Sequence, residues 1–115
     1  MKRATATFVD LANSVIAVPP LAQTADMTLA AEANITLLGH LQRGGVKSLM
    51  YGGNANFYNI PLSTYAAALE FLDANTNNDV WVIPAVGPDY GRMADQAPVI
   101  RSLGFPMAMA LITAR

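Results

Sequence analysis

The sequence contains no cysteine, few charged residues and no long uninterrupted apolar run. Without cysteine, the 115-residue chain can form neither disulfides nor thiolate metal sites, which is compatible with a reducing cytoplasm. Seven basic residues against eight acidic ones leave no basic stripe to neutralise nucleic-acid phosphates. No apolar stretch approaches the ~20 residues that span a bilayer, and the N-terminal segment lacks the apolar core of a signal peptide. We therefore expect a soluble, cytoplasmic protein that binds neither nucleic acid nor a membrane.

Metal ligands and cofactor motifs are equally scarce. The only histidine, His40, lies late in a predicted helix, where the negative end of the helix dipole favours an imidazole. A single imidazole without partner ligands does not make a metal site. The sequence predicts no metal and no cofactor.

Apolar residues are what the chain has in excess. They make up 53% of the sequence, against 13% charged residues, so the chain is more apolar and less charged than an ordinary soluble domain. Such a chain needs more burial than its own surface allows. This predicts strands covered on both faces, and an apolar surface that would pack against the rest of a larger protein.

A short apolar run followed by a segment of helical period recurs along the chain. The first helix is expected to begin at Asp26 or Thr28 and the second at Ser63, because such side chains cap helix N-termini. The third is expected over residues 93–103, with Pro98 inside it and Gly104 after it. The four predicted strands are residues 14–18, 46–51, 80–86 and 106–112.

The strands read as continuously apolar, and each unit has about the ~30 residues of a βαβ module. The fold class is therefore α/β with a parallel sheet. Periodicity alone leaves two architectures open, an open doubly wound sheet and a (β/α)8 barrel.

Four short motifs favour the barrel. They are Val18-Pro19 at the end of the first strand, Gly44-Gly45-Val46 between helix and strand, residues 52–56 (GGNAN) after the second strand, and Leu62-Ser63 at the next helix. In this order they resemble the dihydrodipicolinate synthase and N-acetylneuraminate lyase superfamily of pyruvate aldolases. The resemblance implies that residues 1–115 are the N-terminal half of a (β/α)8 barrel and contribute its first four strands. It also implies a carbon–carbon lyase that acts on pyruvate or a related 2-oxo acid through a lysine Schiff base.

The resemblance places the substrate-binding loop at residues 52–56. There the family carries a pair of hydroxyl side chains that contact the pyruvate carboxylate and a proton relay, and here the pair is replaced by Gly53 and Asn54. Glycine amides and an asparagine side chain still donate hydrogen bonds to a carboxylate. The expected substrate-binding residues are Gly53, Asn54 and Asn56, while the two asparagines also suit a purely turn-forming role.

The nucleophile is missing from the sequence. In the family the imine lysine lies on the sixth strand and an assisting tyrosine follows the fourth, and neither position occurs here. Lys2 is terminal. Lys47 lies at the start of the second strand, and in a barrel the residues at that end of the strands serve stability rather than catalysis. No residue of this chain is therefore predicted to be catalytic.

An alternative is a non-catalytic α/β half-barrel that binds a small anion or oligomerises. Either way, four parallel strands leave two unpaired edges, so we expect a homo-oligomer.

Other side chains near the strand ends have structural explanations. Tyr51 and Tyr58 suit packing or an interface. Asp89, which precedes Tyr90 and Arg92, suits a helix cap. Met107 and Met109 are expected to fill gaps in the core.

Overall fold

The computed structural model describes residues 1–112. Along the chain they form α1 (Phe8–Ala12), β1 (Ile16–Ala17), α2 (Ala31–Arg43), β2 (Ser48–Tyr51), a 3-10 helix (Phe57–Asn59), α3 (Leu62–Ala74), β3 (Trp81–Val86), α4 (Tyr90–Ser102) and β4 (Met109–Ala110).

The four strands form one parallel sheet in the order β1-β2-β3-β4, with a helix between successive strands. The α/β prediction is thereby confirmed. Each strand pairs with the next along the chain, and Leu49 of β2 lies beside Ala17 of β1 and Val82 of β3. All six residues of β3 are buried, as expected for a strand covered on both faces. The outer strands β1 and β4 each leave one edge unpaired among the described residues.

The outer strands are shorter than predicted. The predicted ranges 14–18 and 106–112 contain only two strand residues each, Ile16–Ala17 and Met109–Ala110. Only these residues find register partners on β2 and β3. An apolar run identifies where a strand lies, but how many of its residues pair depends on contacts with the neighbouring strand that the run itself does not encode.

Two predicted helix starts are wrong. Neither Asp26 nor Thr28 caps α2, which begins at Ala31 after Ala30 without a side-chain cap. Ser63 lies inside α3, whose N-cap is Pro61. A proline at the start of a helix forfeits no hydrogen bond, because the first amides have no helical partner.

Asp89 does cap α4, as predicted. Its carboxylate accepts a hydrogen bond from the amide of Arg92 at 2.8 Å, and the helix begins at Tyr90, earlier than the predicted start at Met93. Pro98 lies inside α4.

Helix α1 was not predicted. It is held by a capping box in which the Thr7 hydroxyl accepts from the Asp10 amide at 3.2 Å and the Asp10 carboxylate accepts from the Thr7 amide at 2.8 Å. Its Phe8 and Val9 are exposed and none of its residues is buried, so the helix lacks the buried apolar face from which the other helices were predicted.

Helix α3 packs on the sheet through the face that its periodicity predicts. Tyr65, Leu69 and Leu72 are fully buried. The ring of Tyr65 meets Phe57 edge-on at 5.9 Å, and Phe57 meets Tyr51 of β2 at 6.0 Å. This aromatic stack fixes the segment after β2 between the sheet and the helix.

The N-terminal segment covers the amino end of the sheet. The Lys2 amide donates to Val80 at 2.7 Å, and the Trp81 indole donates to the Ala4 carbonyl at 2.7 Å. The side chain of Lys2 lies 4.1 Å over the Trp81 ring. In residues 1–112 no helix is long and apolar enough to cross a membrane.

Candidate functional site

The carboxyl ends of the parallel strands share one edge of the sheet, where active sites of α/β folds lie. The segments that meet there are residues 18–19 after β1, 52–56 after β2 and 87–89 after β3. The predicted substrate-binding residues Gly53, Asn54 and Asn56 all belong to the middle segment. We call residues 52–56 the β2 turn.

The β2 turn is organised by its own backbone. The carbonyl of Gly52 accepts from the amides of Ala55 and Phe57, each at 3.2 Å, and the carbonyl of Gly53 accepts from Asn56 at 3.0 Å. These internal bonds are donated by residues 55, 56 and 57. The amides of Gly53 and Asn54 are not among the donors of the turn in the described part of the chain.

The space beside Gly53 is open. A Cβ atom built on Gly53 would meet no atom within 4 Å, whereas one built on Gly52 would lie 2.7 Å from the methyl carbon of Met109. A side chain at position 52 would have to displace the end of Met109, whereas one at position 53 would displace nothing. The open space leaves room for a ligand against the backbone at Gly53.

Asn54 ties the β2 turn to the neighbouring strand end. Its Nδ2 donates a hydrogen bond to the carbonyl of Val18 at 3.1 Å. A side-chain amide has two N–H donors, so one remains for a ligand.

Asn56 has the geometry of a turn former. Its backbone is left-handed, with φ 57° and ψ 33°, a conformation that asparagine tolerates better than most residues. Its Oδ1 accepts from the Nδ2 of Asn59 at 2.8 Å. Asn56 also lines a cavity beside Pro61.

Two buried tyrosines support this edge. Burial raises the pKa of both Tyr51 and Tyr65, so both phenols are protonated at neutral pH. The Tyr65 hydroxyl donates to the carbonyl of Ala85 at 2.9 Å, near the end of β3. The prediction of a packing role for Tyr51 agrees with its burial in the aromatic stack.

The segment after β3 is held by Gln96, which sequence reasoning missed. Its Oε1 accepts from the amide of Gly87 at 2.8 Å, and the side chain is almost fully buried. Gly87 has φ 94°, and a Cβ there would lie 3.0 Å from the carbonyl of Leu111, so only glycine fits. Helical spacing carried the signal, because Gln96 lies on one face of α4 with Met93 and Ile100.

Two surface groups lie beside this edge. Arg92 donates from Nη1 to the Tyr58 carbonyl, which joins α4 to the 3-10 helix. Tyr58 is 44% exposed, so its ring is not buried in the core and stays available for contacts.

Both lysines lie at the opposite end of the sheet. Lys47 precedes β2 and forms an ion pair with Asp79 at 2.5 Å, and Lys2 lies over Trp81 at the start of β3. Neither ammonium group is placed to reach the β2 turn. In residues 1–112 no group of three acidic, histidine or cysteine side chains is arranged to hold a metal.

A comparison of the sequence with protein-family models and with curated proteins finds no match. The structure, however, is similar to 2-keto 3-deoxygluconate aldolase from Picrophilus torridus, with a TM-score of 0.73 and 16% identity, over 83% of this chain and 35% of that one. It is also similar to dihydrodipicolinate synthase from Rhodopseudomonas palustris, with a TM-score of 0.72 and 15% identity, over 84% of this chain and 33% of that one.

These similarities establish the fold. Both solved structures, an aldolase and a dihydrodipicolinate synthase, are TIM-barrel enzymes, so the resemblance that the sequence motifs suggested is confirmed at the level of the fold. The chain spans about a third of the length of the solved structures it matches.

Proposed function

We propose that residues 1–115 are the N-terminal half of a (β/α)8 carbon–carbon lyase, and that the β2 turn binds the carboxylate of pyruvate or a related 2-oxo acid. The observation that carries the proposal is the position of the turn. It follows β2 at the carboxyl edge of a sheet whose fold is shared with an aldolase and a dihydrodipicolinate synthase.

The donors of the β2 turn suit a carboxylate. The adjacent amides of Gly53 and Asn54 are not used by the turn's internal bonds, and because Gly53 has no side chain the space beside it is open. The second Nδ2 hydrogen of Asn54 adds a third donor. Successive backbone amides of this kind form a concavity that binds anions. Asn56 contributes by holding the left-handed end of the turn.

The covalent step falls to a residue outside this chain. A Schiff base needs a lysine amine close to the bound carbonyl, and both lysines here lie at the amino end of the sheet. The chain alone is therefore expected to bind the 2-oxo acid without forming an imine. Treatment with pyruvate and borohydride should leave its mass unchanged, and a trapped adduct would refute this assignment.

The second candidate is a non-catalytic half-barrel that binds a small anion. The donors of the β2 turn favour it equally, because backbone amides bind any small anion. The two candidates differ in selectivity, since a substrate site discriminates pyruvate from acetate through contacts to the keto group.

Calorimetric titration with pyruvate tests the proposal. Asn54→Asp replaces the donating amide by a carboxylate of the same shape and should abolish the binding heat, because like charges repel. Asn78→Asp adds the same charge in an exposed turn after α3 and serves as the control. Equal binding by wild type and Asn54→Asp would contradict the proposed site, and equal affinity for acetate and pyruvate would favour the non-catalytic candidate.

A further inference from the structure

The loop between β1 and α2 folds into a small hairpin over residues 22–30. Gln23 and Leu29 form an antiparallel bridge, and the Thr24 amide donates to the Thr28 carbonyl at 2.8 Å. The hydroxyls of the two threonines lie 2.7 Å apart and share a hydrogen bond. Asp26 and Thr28, which the sequence suggested as helix caps, thus belong to this hairpin.

Asn34 anchors the base of the hairpin to α2. Its Oδ1 accepts from the amide of Ala22 at 2.8 Å, and its Nδ2 donates to the carbonyls of Ala22 and Ala30, each at 2.9 Å. The side chain is 1% exposed. All its hydrogen-bonding capacity except one acceptor lone pair is directed at the two ends of the hairpin.

Met27, at the tip of the hairpin, has an uncommon backbone conformation. Its backbone has φ 63°, in the left-handed region that is uncommon for a residue other than glycine, asparagine or aspartate. Its side chain is 69% exposed, so it is not held there by core packing.

Two adjoining cavities lie between this hairpin and the start of α3, with volumes of about 200 and 270 Å³. They share Gln23, Met27 and Ile60 and so form one groove. Its apolar wall consists of Leu21, Leu29, Ile60, Ala67 and Ala68. Its polar residues are Gln23, Thr28, Asn56, Asn59 and Thr64.

No charged side chain lines the groove within residues 1–112. A charged ligand would lose its hydration without gaining a counter-charge, which is costly. A neutral ligand loses little and gains the amide donors and acceptors of the groove. An apolar cavity of about 150 Å³ already accommodates benzene, so the volume suits a ring of that size.

From this lining we infer that the groove between the hairpin and α3 binds an uncharged small molecule with an apolar body and one amide or hydroxyl group. The apolar body packs on Leu29 and Ala67, and the polar group reaches the amides of Gln23 and Asn59. Met27 covers the bound molecule. The groove shares Asn56 with the β2 turn, but the inference rests on the lining of the groove and not on carboxylate binding at the turn.

Benzamide and benzoate form a matched pair of probes, because they share shape and differ in charge. NMR titration of the full chain with benzamide should shift the methyl signals of Met27 and Leu29 in a saturable way. Benzoate should leave the same signals in place at equal concentration.

The matched variants are Ala67→Leu and Ala74→Leu, which add the same side chain to exposed positions of α3 inside and outside the groove. Ala67→Leu fills the groove and should weaken benzamide binding by at least about tenfold, whereas Ala74→Leu should leave it unchanged. The inference is overturned if benzamide shifts neither methyl, if benzoate shifts them equally, or if Ala67→Leu binds benzamide as tightly as the wild type.

Discussion

The side chain of Asn54 donates a hydrogen bond to the carbonyl of Val18 at 3.1 Å. The bond links the turn after β2 to the end of β1, across the edge where the strand ends meet. It also directs one of the two Nδ2 hydrogens away from a ligand. Asn54 therefore positions the β2 turn and also keeps one side-chain donor for a ligand.

Asn54→Ala removes this link. Because the bond is exposed, we expect the free energy of unfolding to fall by only about 0.5–1 kcal/mol. The amides of Ala55 and Asn56, which donate hydrogen bonds within the β2 turn, should meanwhile exchange faster with solvent. Urea denaturation and hydrogen exchange measure the two effects, with Asn78→Ala as the control. A loss no larger than that of the control would show that the link does not stabilise the edge.

The buried hydroxyl of Tyr65 should matter more. Tyr65→Phe leaves the carbonyl of Ala85 without that donor while keeping the ring in the aromatic stack. We expect a loss of about 1–2 kcal/mol in the free energy of unfolding. Tyr58→Phe alters an exposed tyrosine and should be neutral in the same denaturation experiment. Equal effects of the two variants would contradict the role given to the buried hydroxyl.

Asn34 is predicted to control the hairpin over residues 22–30. Asn34→Leu keeps the approximate size of the side chain but leaves the amide of Ala22 and two carbonyls without this partner. We expect a loss of about 2 kcal/mol and fast hydrogen exchange confined to the hairpin. Thr36→Ala, at an exposed position of α2, is the control. Unchanged exchange at Ala22 in the leucine variant would contradict the anchoring.

Acid should weaken the contact between α3 and the N-terminal segment. Burial acts to raise the pKa of Asp73, but hydrogen bonds from Arg3 and the Met1 amino group lower it below its ordinary value. Because its pKa is lowered in the folded state, ionised Asp73 stabilises the protein at pH values above its ordinary pKa near 4. This stabilisation is lost as the pH falls through the folded-state pKa. Asp73→Asn should therefore destabilise the protein at pH 7 and flatten the acid limb of its stability profile.

Urea denaturation from about pH 7 to about pH 2 checks this, with Asp95→Asn at an exposed position as the control. The effect should be modest because the Arg3–Asp73 pair is partly exposed to water. A variant whose acid limb keeps the wild-type slope would show that Asp73 does not cause it.

The exposed strand edge should promote association. Val15 and Ile16 at β1 are 74% and 39% exposed, and β1 has an unpaired side in the described part of the sheet. Ile16→Lys places a charge at this edge and should shift the protein toward monomer in sedimentation experiments. Thr36→Lys adds the same charge away from the edge. Identical sedimentation of both variants would argue against association through β1.

Local sequence signals identified the order of elements well. Proline after β1 and the glycine-containing breaks after β2 and β3 marked the strand ends, because neither feature continues a buried strand. The apolar spacing of Tyr65, Leu69 and Leu72 identified the buried face of α3.

Features that depend on distant partners were not predicted. Asp26 and Thr28 look like helix caps in isolation. The Thr28 hydroxyl instead shares a hydrogen bond with that of Thr24, and the chain forms a hairpin before α2 begins at Ala31. Gln96 and Asn34 are polar residues whose burial depends on backbone groups of the preceding loops, 9 and 12 positions away. The predicted site lies in the β2 turn, but the link from Asn54 to Val18 spans 36 positions and has no local signature.

The most direct test of carboxylate binding is an amide NMR titration with pyruvate. Binding at the β2 turn predicts saturable downfield shifts of the Gly53 and Asn54 amides, since a hydrogen bond to a carboxylate deshields the donor proton. The amides of Lys47 and Asp79, at the other end of the sheet, should not move. Unshifted Gly53 and Asn54 amides at saturating pyruvate, or shifts retained in full by Asn54→Asp, would contradict the proposed function.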